Sequence, residues 1–362
     1  MVISRKELKS ALGILKLVAC AKGNLASLGN ILMQVRARTL VLTATNLKIF
    51  VQVQMQVTSE TEGTELLIDI EDLIKLASLK GLPDKASVEV LPECKAKVVI
   101  GGIEMHIGTI STDLFPPVPE TPVTDMLCSS NRMKEMIEKT IKSMTPDVTR
   151  VHYNCARLEC GHDNQFNMVT TDGHRISTFG VASARYHIKH EISLPPIMLK
   201  LISKLRGMLA MSIADSKIYI ETEDRTRVWC KCTEEPFPSW ERAIPRNSSD
   251  RVQVRVNKEM FENAVRVTAL TADERSEGIK LQIKKGVMHI SSDTKTSNCT
   301  AEVPAIYAGK EFSIGFKAKY LLDVFGVLDE DEVMLEMNPE DNLDPLVIRE
   351  KDFLHILMPM RL

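Results

Sequence analysis

The sequence predicts an α+β protein of three repeated domains, each with two helices packed on antiparallel sheets. The chain has 362 residues, which is too long for one ordinary hydrophobic core. Apolar stripes of helical spacing begin at Leu8, Met133 and Phe261, which lie 125 and 128 residues apart. Between the helices, valine and methionine alternate with glutamine along residues 50–57, as in a strand with one wet face. The period predicts domains at 1–124, 125–249 and 250–362.

The first repeat sets the order of elements. Residues 4–19 predict an amphipathic helix, because Leu8, Ala11, Leu12 and Leu15 fall on one face. A second helix is predicted after the fourth strand and is stopped by the Gly-Leu-Pro at 81–83. The predicted strands are 31–35, 40–45, 50–57, 66–70, 87–91, 97–100 and 105–110, and the second helix is 71–80.

The other two repeats follow the same order. Their predicted first helices are 131–144 and 257–269, and their second helices are 195–208 and 317–331. Strands are predicted within 151–181 and 209–232. The Pro-Phe-Pro-Ser-Trp at 236–240 matches the Leu-Phe-Pro-Pro-Val at 114–118 in position and type, so both are predicted to be linkers between domains.

Charge is unevenly distributed along the chain. The net charge is −2, yet the six predicted helices hold 17 basic against 11 acidic residues. Helices with a surplus of cations can face a polyanion, although a solvated helix face is the alternative. With 44% hydrophobic and 26% charged residues, the composition favours a globular protein over a disordered or membrane protein. Since the N-terminus predicts an amphipathic helix and not a targeting segment, we expect a cytoplasmic protein without a membrane partner.

The cysteines do not form a metal motif. Eight cysteines are present without a Cys-x-x-Cys pair, and Cys155, Cys160 and His162 lack a fourth ligand at the usual spacing. Cys230 and Cys232 share one face of a predicted strand, which favours burial. We therefore expect reduced thiols, no metal and no cofactor.

The most informative short segment is Thr-Thr-Asp-Gly-His-Arg-Ile-Ser at 170–177. Apolar residues flank it on both sides, which predicts two strands joined by a tight Asp-Gly turn. Asp172 and His174 invite a general-base interpretation, but a nucleophile, a phosphate loop and metal-ligand spacing are missing. A hydrolase or phosphotransferase therefore remains only the alternative, beside a hairpin corner with polar caps.

Several segments in the same order and spacing resemble the bacterial sliding clamp family, the β subunit of DNA polymerase III. They are the 171–176 turn, Phe-Pro-Ser-Trp-Glu-Arg-Ala-Ile-Pro at 237–245, Gly-Phe at 315–316, Tyr-Leu-Leu-Asp-Val at 320–324 and Met-Pro-Met-Arg-Leu at 358–362. The resemblance covers the whole chain. It implies a non-catalytic processivity factor that forms a head-to-tail homodimeric ring of six domains around double-stranded DNA.

The same resemblance implies partners and sites. The implied partners are the catalytic subunit of DNA polymerase III, the clamp loader, other polymerases and mismatch-repair proteins, all bound through short peptide motifs. The implied DNA-binding residues are Lys22, Lys75, Lys142, Arg150, His152, Lys200 and Lys204. The implied peptide groove comprises Tyr153, Thr171, Gly173, His174, Arg175, Ile176, Pro238, Arg242, Ala243, Ile356, Leu357, Met358, Pro359, Met360 and Arg361. The implied dimer interface places Ala269 and Leu270 against Met105 and Ile107.

This chain departs from the family pattern in two places. Before Leu-Gly-Asn at 28–30 it keeps Lys22 but lacks the prolines common in the family. Where adjacent tyrosines are common it has Arg-Val-His-Tyr at 150–153. An oligomeric scaffold that binds no nucleic acid is a further alternative, and retention on circular but not linearised DNA separates the sliding clamp from both other hypotheses.

Overall fold

A computed structural model describes residues 1–19, 26–58, 63–161, 164–180, 188–245, 250–294 and 297–361. The chain forms two compact units. Unit 1 contains Met1–Lys134 and Pro195–Thr233, and unit 2 contains Glu135–Leu194 and Glu234–Leu362. Each unit therefore takes part of the middle third of the chain, and the division into three domains stays a prediction.

All six predicted helices are present, but several are shorter than expected. Their bounds are Arg5–Leu15 (α1), Ile70–Ser78 (α2), Ser130–Thr140 (α3), Pro196–Ile202 (α4), Lys258–Ala269 (α5) and Ala318–Phe325 (α6). α6 ends just before Gly326. Met208, which was predicted to end a helix, instead begins a strand, because Gly207 reverses the chain with a φ of 73°. No helix in the part of the chain that the structure describes is long and apolar enough to cross a membrane.

Side-chain caps fix where several helices begin. Asp69 Oδ1 accepts hydrogen bonds from the amides of Glu71 (2.8 Å) and Asp72 (3.2 Å) at the start of α2. Asn257 Oδ1 accepts a bond of 3.0 Å from the Met260 amide at the start of α5. These bonds satisfy amides that have no partner inside the helix, and they stabilise each start by about 1 kcal/mol.

Unit 1 contains one antiparallel sheet of twelve strands among the described residues. Its order is β1-β6-β7-β8-β5-β2-β3-β4-β16-β15-β14-β9. The strands are Val2–Ser4 (β1), Asn30–Arg36 (β2), Thr39–Thr45 (β3), Ile49–Gln56 (β4), Glu65–Asp69 (β5), Lys85–Leu91 (β6), Lys95–Ile100 (β7), Ile103–Ile110 (β8), Met126–Ser129 (β9), Met208–Ala214 (β14), Lys217–Thr222 (β15) and Arg227–Lys231 (β16).

Unit 2 likewise contains twelve described antiparallel strands. Their order is β13-β10-β11-β12-β24-β23-β22-β17-β20-β19-β18-β21. The strands are Ala156–Gly161 (β10), Phe166–Thr171 (β11), Arg175–Gly180 (β12), Ile188–Leu194 (β13), Val252–Asn257 (β17), Gly278–Lys284 (β18), Val287–Asp293 (β19), Asn298–Ile306 (β20), Phe312–Lys317 (β21), Glu332–Met337 (β22), Leu346–Glu350 (β23) and Phe353–Leu357 (β24).

The cores lie between the helices and one face of each sheet. In unit 2 the rings of Phe261 on α5 and Phe325 on α6 stack with centroids 4.3 Å apart. In unit 1 the Arg5 guanidinium donates to the carbonyls of Ala77 (3.0 Å), Leu79 (2.8 Å) and Leu82 (3.1 Å) at the end of α2. Arg5 thus satisfies carbonyls that α2 leaves without helical partners.

Candidate functional site

The predicted Asp-Gly turn joins β11 to β12. The Asp172 carboxylate accepts hydrogen bonds from the amides of His174 (2.9 Å) and Arg175 (3.2 Å). The Thr171 hydroxyl donates to the Arg175 carbonyl at 2.7 Å and accepts from the Gly173 amide at 3.1 Å. Gly173 has a φ of 94°, which a residue without Cβ adopts at least cost. The turn is therefore rigid and presents His174 to solvent.

The C-terminal strand continues the sheet beside this turn. In the β12–β24 ladder, Ile176 is paired with Ile356. Beyond the ladder, the Met358 amide donates to the His174 carbonyl at 2.9 Å. Two residues later the Met360 amide donates to the Gly315 carbonyl, also at 2.9 Å. The tail is thus held at its Met358 and Met360 amides, while Met358 remains 41% exposed.

An apolar cluster lies beneath the turn and the tail. Its buried members are Cys155, Val169, Ile176, Phe237, Trp240, Val347, Leu354 and Ile356, and Ala243 and Ile244 pack against them. The indole Nε1 of Trp240 donates to Glu159 Oε1 at 3.1 Å, which fixes the segment around residue 240. The cluster forms the floor of the site.

A depression of about 750 Å³ opens above this segment. It is lined by Glu241, Arg242, Ala243, Ile244 and Pro245 on one side and by Asp344 and Pro345 on the other. Ala243, Ile244 and the two prolines suit apolar side chains of an extended chain, and Arg242, Glu241 and Asp344 can hydrogen-bond its backbone. We call this depression, together with the turn at 172–174 and the tail at 358–361, the groove.

Arg150 and Tyr153 stand next to Gly173. The Arg150 guanidinium carbon lies 4.3 Å from the centroid of the Tyr153 ring, a cation–π contact. A Cβ on Gly173 would come within 3.2 Å of Arg150 Nη2 and 3.5 Å of the Tyr153 ring. The missing side chain therefore makes room for these two residues. Arg150, which was predicted to contact DNA, lies beside the groove.

Arg175 requires a correction. It was predicted to bond a bound peptide, but it is buried, with 5% of its surface exposed. Its Nε donates to Asp172 at 3.0 Å, Nη1 donates to Asp323 at 2.8 Å, and Nη2 donates to the Lys142 carbonyl. The guanidinium also lies 4.1 Å from the Tyr320 ring centroid. Because these contacts occupy each nitrogen, Arg175 supports the turn from below.

The remaining predicted groove residues divide by exposure. Thr171, Ile176, Ile356 and Leu357 are buried and build the floor. The surface comes from the exposed and half-buried members, which are Tyr153, Gly173, His174, Pro238, Arg242, Ala243, Met358, Pro359, Met360 and Arg361. Sequence reasoning missed Asp323 as the partner of Arg175, because nothing in the local pattern joins residues so far apart in the chain.

The alternative catalytic interpretation finds no support in this geometry. The Asp172 carboxylate is bound to two amides and to Arg175, so it does not orient the His174 ring. In the described ranges no side chain hydrogen-bonds that ring, and no three His, Cys, Asp or Glu side chains are placed to hold a metal ion. No disulfide joins any of the seven described cysteines, and Cys230 and Cys232 are buried as predicted. His162 lies outside the described residues.

The predicted DNA-binding residues are spread over both units. Lys75, Lys200 and Lys204 in unit 1 are exposed, as is Lys142 in unit 2. Lys75 is paired with Asp72 at 2.9 Å, which also raises its pKa. The half-buried His152 ring packs 4.2 Å from that of Tyr153. Lys22 lies outside the described residues, so its prediction stands without a structural account.

The helical charge surplus is smaller at the surface than the count indicates. Lys139 on α3 is buried, and its ammonium lies 2.8 Å from Asp329 and 3.6 Å from Glu350. Arg5 is used to cap α2. Both cations therefore stabilise their own unit and add little to the positive electrostatic potential at the surface, which is what would attract a polyanion.

The predicted dimer residues lie on a strand edge and at a helix end. Leu270, which follows α5, is 83% exposed, and Ala269 is half-buried. Met105 is half-buried on β8, whereas Ile107 is 3% exposed and faces the core of unit 1. This corrects the prediction for Ile107: only its backbone is available to a partner.

Besides the terminal strands β1, β9, β13 and β21, two strands inside the sheet orders have open edges in the described structure. β8 pairs with β5 only at Thr109 and Ile110, which leaves residues 103–108 unpaired on that side. β20 pairs with β17 only at Ala305 and Ile306, which leaves residues 298–304 unpaired on that side. Sequence reasoning missed the β20 edge, although open edges are known sites of strand addition.

Comparisons with known proteins match the chain at both ends and over its whole length. The model of the DNA polymerase III beta subunit N-terminal domain matches residues 1–119, and that of its C-terminal domain matches residues 241–361. The beta sliding clamp of Pseudomonas putida is 27% identical, and the alignment covers 99% of each chain. Two crystal structures from Pseudomonas aeruginosa cover 100% of this chain. A sliding clamp bound to griselimycin has a TM-score of 0.90 at 25% identity, and a sliding clamp with a ligand has 0.89 at 26%.

Proposed function

The chain belongs to the family of the DNA polymerase III beta subunit, the bacterial beta sliding clamp, and from this membership we propose how it acts on DNA. The α+β fold class predicted from the sequence is confirmed by the structural matches. The family is non-catalytic, and the protein is a processivity factor of DNA polymerase III. The observation that carries this conclusion is a likeness in sequence and fold that extends over the full length of both chains.

The protein, we propose, encircles duplex DNA as a homodimer and slides along it. A closed ring leaves DNA only by opening or at an end, so tight phosphate contacts are unnecessary. Weak attraction from exposed lysines such as Lys200 and Lys204 supports sliding, because screened contacts form and break rapidly. The cytoplasm is the compartment we propose, since the DNA of a bacterium lies there.

The two open strand edges support the dimer. Antiparallel pairing of the β8 edge of one copy with the β20 edge of a second copy satisfies backbone groups that each unit leaves unpaired. The exposed apolar side chains of Leu270 (83%), Ile306 (67%) and Ile103 (41%) would be covered in the same contact. Since each copy has one edge of each kind, two such contacts close a head-to-tail ring.

The groove, we propose, receives short peptides of the DNA polymerase III catalytic subunit, the clamp loader, other polymerases and mismatch-repair proteins. The exposed Met358 and the half-buried Met360 supply an adaptable apolar surface, which repacks around different side chains at little strain. Arg242 and His174 stand at its rim, where they can hydrogen-bond the peptide backbone.

The decisive experiment compares retention of the protein on circular DNA with its retention on linearised DNA. After loading by a clamp loader, labelled protein should co-elute with nicked circular DNA in gel filtration and should be lost when one restriction cut linearises the circle. Equal retention on both forms would indicate ordinary DNA binding. Retention on neither form would favour the alternative of a scaffold without nucleic acid.

A further inference from the structure

Unit 1 contains a second pocket, made from the same parts as the groove. It has a volume of about 460 Å³ and is lined by Leu47, Lys48, Pro119, Glu120, Lys217 and Lys231, among others. We propose that this first-unit pocket binds an acidic peptide of a partner protein through one apolar anchor side chain. The proposal relies on the proposed function of the groove only for the class of ligand.

The turn beside the pocket repeats the turn of the groove. The Asn46 side chain accepts from the amides of Lys48 (3.1 Å) and Ile49 (2.8 Å), as Asp172 does in unit 2. The Thr45 hydroxyl donates to the Ile49 carbonyl at 2.9 Å and accepts from the Leu47 amide at 2.9 Å, as Thr171 does. The two turns therefore have the same internal hydrogen bonds.

The neighbouring strand and linker repeat as well. The Lys231 amide, at the end of β16, donates to the Lys48 carbonyl at 2.8 Å, which matches the bond from Met358 to His174 in unit 2. The Trp229 indole donates to the Glu120 carbonyl at 3.0 Å and so holds the linker as a wall of the pocket. The strand order that places the tail at the groove thus places Lys231 at the pocket.

Leu47 marks the mouth of the pocket. It has a φ of 73° and is 52% exposed, at the position that Gly173 occupies in unit 2. The left-handed region is less favourable for leucine than for glycine, yet about half of the Leu47 surface stays exposed in this structure. A half-exposed apolar side chain held in an unfavourable backbone conformation supports a contact with a ligand.

A row of three lysines gives the pocket its charge. Lys48, Lys231 and Lys217 occupy matching positions on three neighbouring chain segments, and all are exposed. Lys48 and Lys217 would attract an anionic ligand at the mouth of the pocket. Glu120 and Asp215 are the carboxylates that line the pocket, yet within the described ranges none lies within ion-pair distance of Lys48 or Lys217. The pocket therefore favours a ligand with carboxylates.

The aromatic residues behind the lysines distinguish a peptide from nucleic acid. Phe50, Trp229 and Tyr219 form a row across the sheet but are only 8%, 7% and 3% exposed. Phe115 and Val118 of the linker pack against the same cluster. Their faces are unavailable for stacking on bases, which single-stranded nucleic acid requires. An apolar side chain of a peptide needs only the open space of the cavity.

The two tryptophans of the chain make the test specific, because Trp229 lies at this pocket and Trp240 lies at the groove. In the Trp240→Phe protein, the blocked hexapeptide Glu-Asp-Leu-Phe-Asp-Glu should change Trp229 fluorescence saturably, and Lys-Lys-Leu-Phe-Lys-Lys should not. The Trp229→Phe protein reports the groove in a parallel titration. Failure of the groove alone counts against the proposed function, whereas an unchanged Trp229 signal overturns this proposal. If Trp240→Phe does not fold, fluorine NMR of 5-fluorotryptophan in the unaltered chain separates the two indoles.

Two variants test the assigned contacts. Leu47→Gly removes the anchor contact and the backbone strain, so it should weaken the peptide about tenfold without lowering the thermal midpoint. The double variant Lys48→Glu and Lys217→Glu should lower the affinity for the peptide by at least about tenfold. Added salt should also lower the affinity of the unaltered protein for the peptide. Unchanged affinity in both variants, or tighter binding of oligothymidylate than of the peptide at Trp229, would refute the proposal.

Discussion

Arg175 Nη1 and Asp323 Oδ2 lie 2.8 Å apart, which joins the first residue of β12 to α6. The side chains are 5% and 18% exposed, so removal of one partner leaves a buried charge. We expect Asp323→Ala to lower the free energy of unfolding by about 3 kcal/mol and to weaken peptide binding at the groove. Urea denaturation measures the first effect. Glu332→Ala is the control, because Glu332 and its partner Arg255 are 60% and 47% exposed and an exposed pair contributes about 0–1 kcal/mol.

Removal of residues 358–362 tests the role of the tail. The deletion removes Met358 and Met360 and their bonds to His174 and Gly315 but leaves the core strand β24 intact. Affinity for polymerase and loader peptides should fall below detection in a fluorescence titration, while the dimer and its retention on circular DNA persist. Unaltered peptide affinity would mean that the turn at 172–174 is only a hairpin corner with polar caps and not part of a peptide-binding site.

Leu270→Asp tests ring closure. Burial of a carboxylate without a partner at an apolar contact costs several kcal/mol, about 3 or more, so the dimer dissociation constant should rise over a hundredfold. Sedimentation velocity at nanomolar concentration measures it. Val148→Asp is the matched control, since Val148 is 74% exposed and lies on neither open strand edge. A Leu270→Asp dimer of unchanged affinity would remove Leu270 from the interface.

Reversal of Lys200 and Lys204 to glutamate tests the DNA lining. DNA association should weaken, and the slope of log affinity against log salt should fall by about one unit for each lost phosphate contact. The double variant Lys280→Glu and Lys285→Glu changes the net charge equally at exposed positions in the β18–β19 hairpin and should have little effect. Equal effects of the two double variants would mean that only net charge matters.

Periodicity was enough to predict the helices and the strands β2–β8 of the first repeat, because each helix has a continuous apolar stripe and these strands alternate. The short strands β1 and β9 were missed, since three or four residues do not establish an alternation, and β13 and the strands of the third repeat received no predicted ranges. The 172–174 turn was predicted correctly because its hydrogen bonds are all local. In contrast, the burial of Arg175 depends on Asp323 and Tyr320, which approach only in the folded chain.

The groove residues were predicted from the resemblance to the family. The exposure of each side chain decides whether it can contact a peptide. Leu357 and Ile356 are as close to the tail as Met358 in sequence, but pairing with β12 and β23 buries them. The first-unit pocket received no prediction, because Asn46-Leu47-Lys48 lacks the glycine that drew attention to 172–174. Its likeness to the groove depends on backbone hydrogen bonds, which the side-chain types do not reveal.

His355 predicts how stability depends on pH. Its ring is fully buried, its Nδ1 lies 2.8 Å from the Ser177 hydroxyl, and its Nε2 has no hydrogen-bond partner among the described residues. Burial, and to a lesser degree the Arg175 charge, lowers the pKa of His355 from 6.5 to about 3. Below pH 6.5 the His355 imidazole is therefore protonated in the unfolded chain but stays neutral in the folded chain. Stability should fall as the pH drops from 6.5 towards 3, by at most about 1.4 kcal/mol per pH unit from this residue.

Other groups also titrate in that window, so the test compares slopes and not absolute stabilities. Urea denaturation of the unaltered chain and of His355→Gln at pH 7, 6, 5 and 4 should give a steeper loss for the unaltered chain, whatever the cost of the substitution at neutral pH. If His355→Gln lost stability with the same slope as the unaltered chain, the imidazole would be protonated equally in both states, and a neutral buried His355 would be excluded.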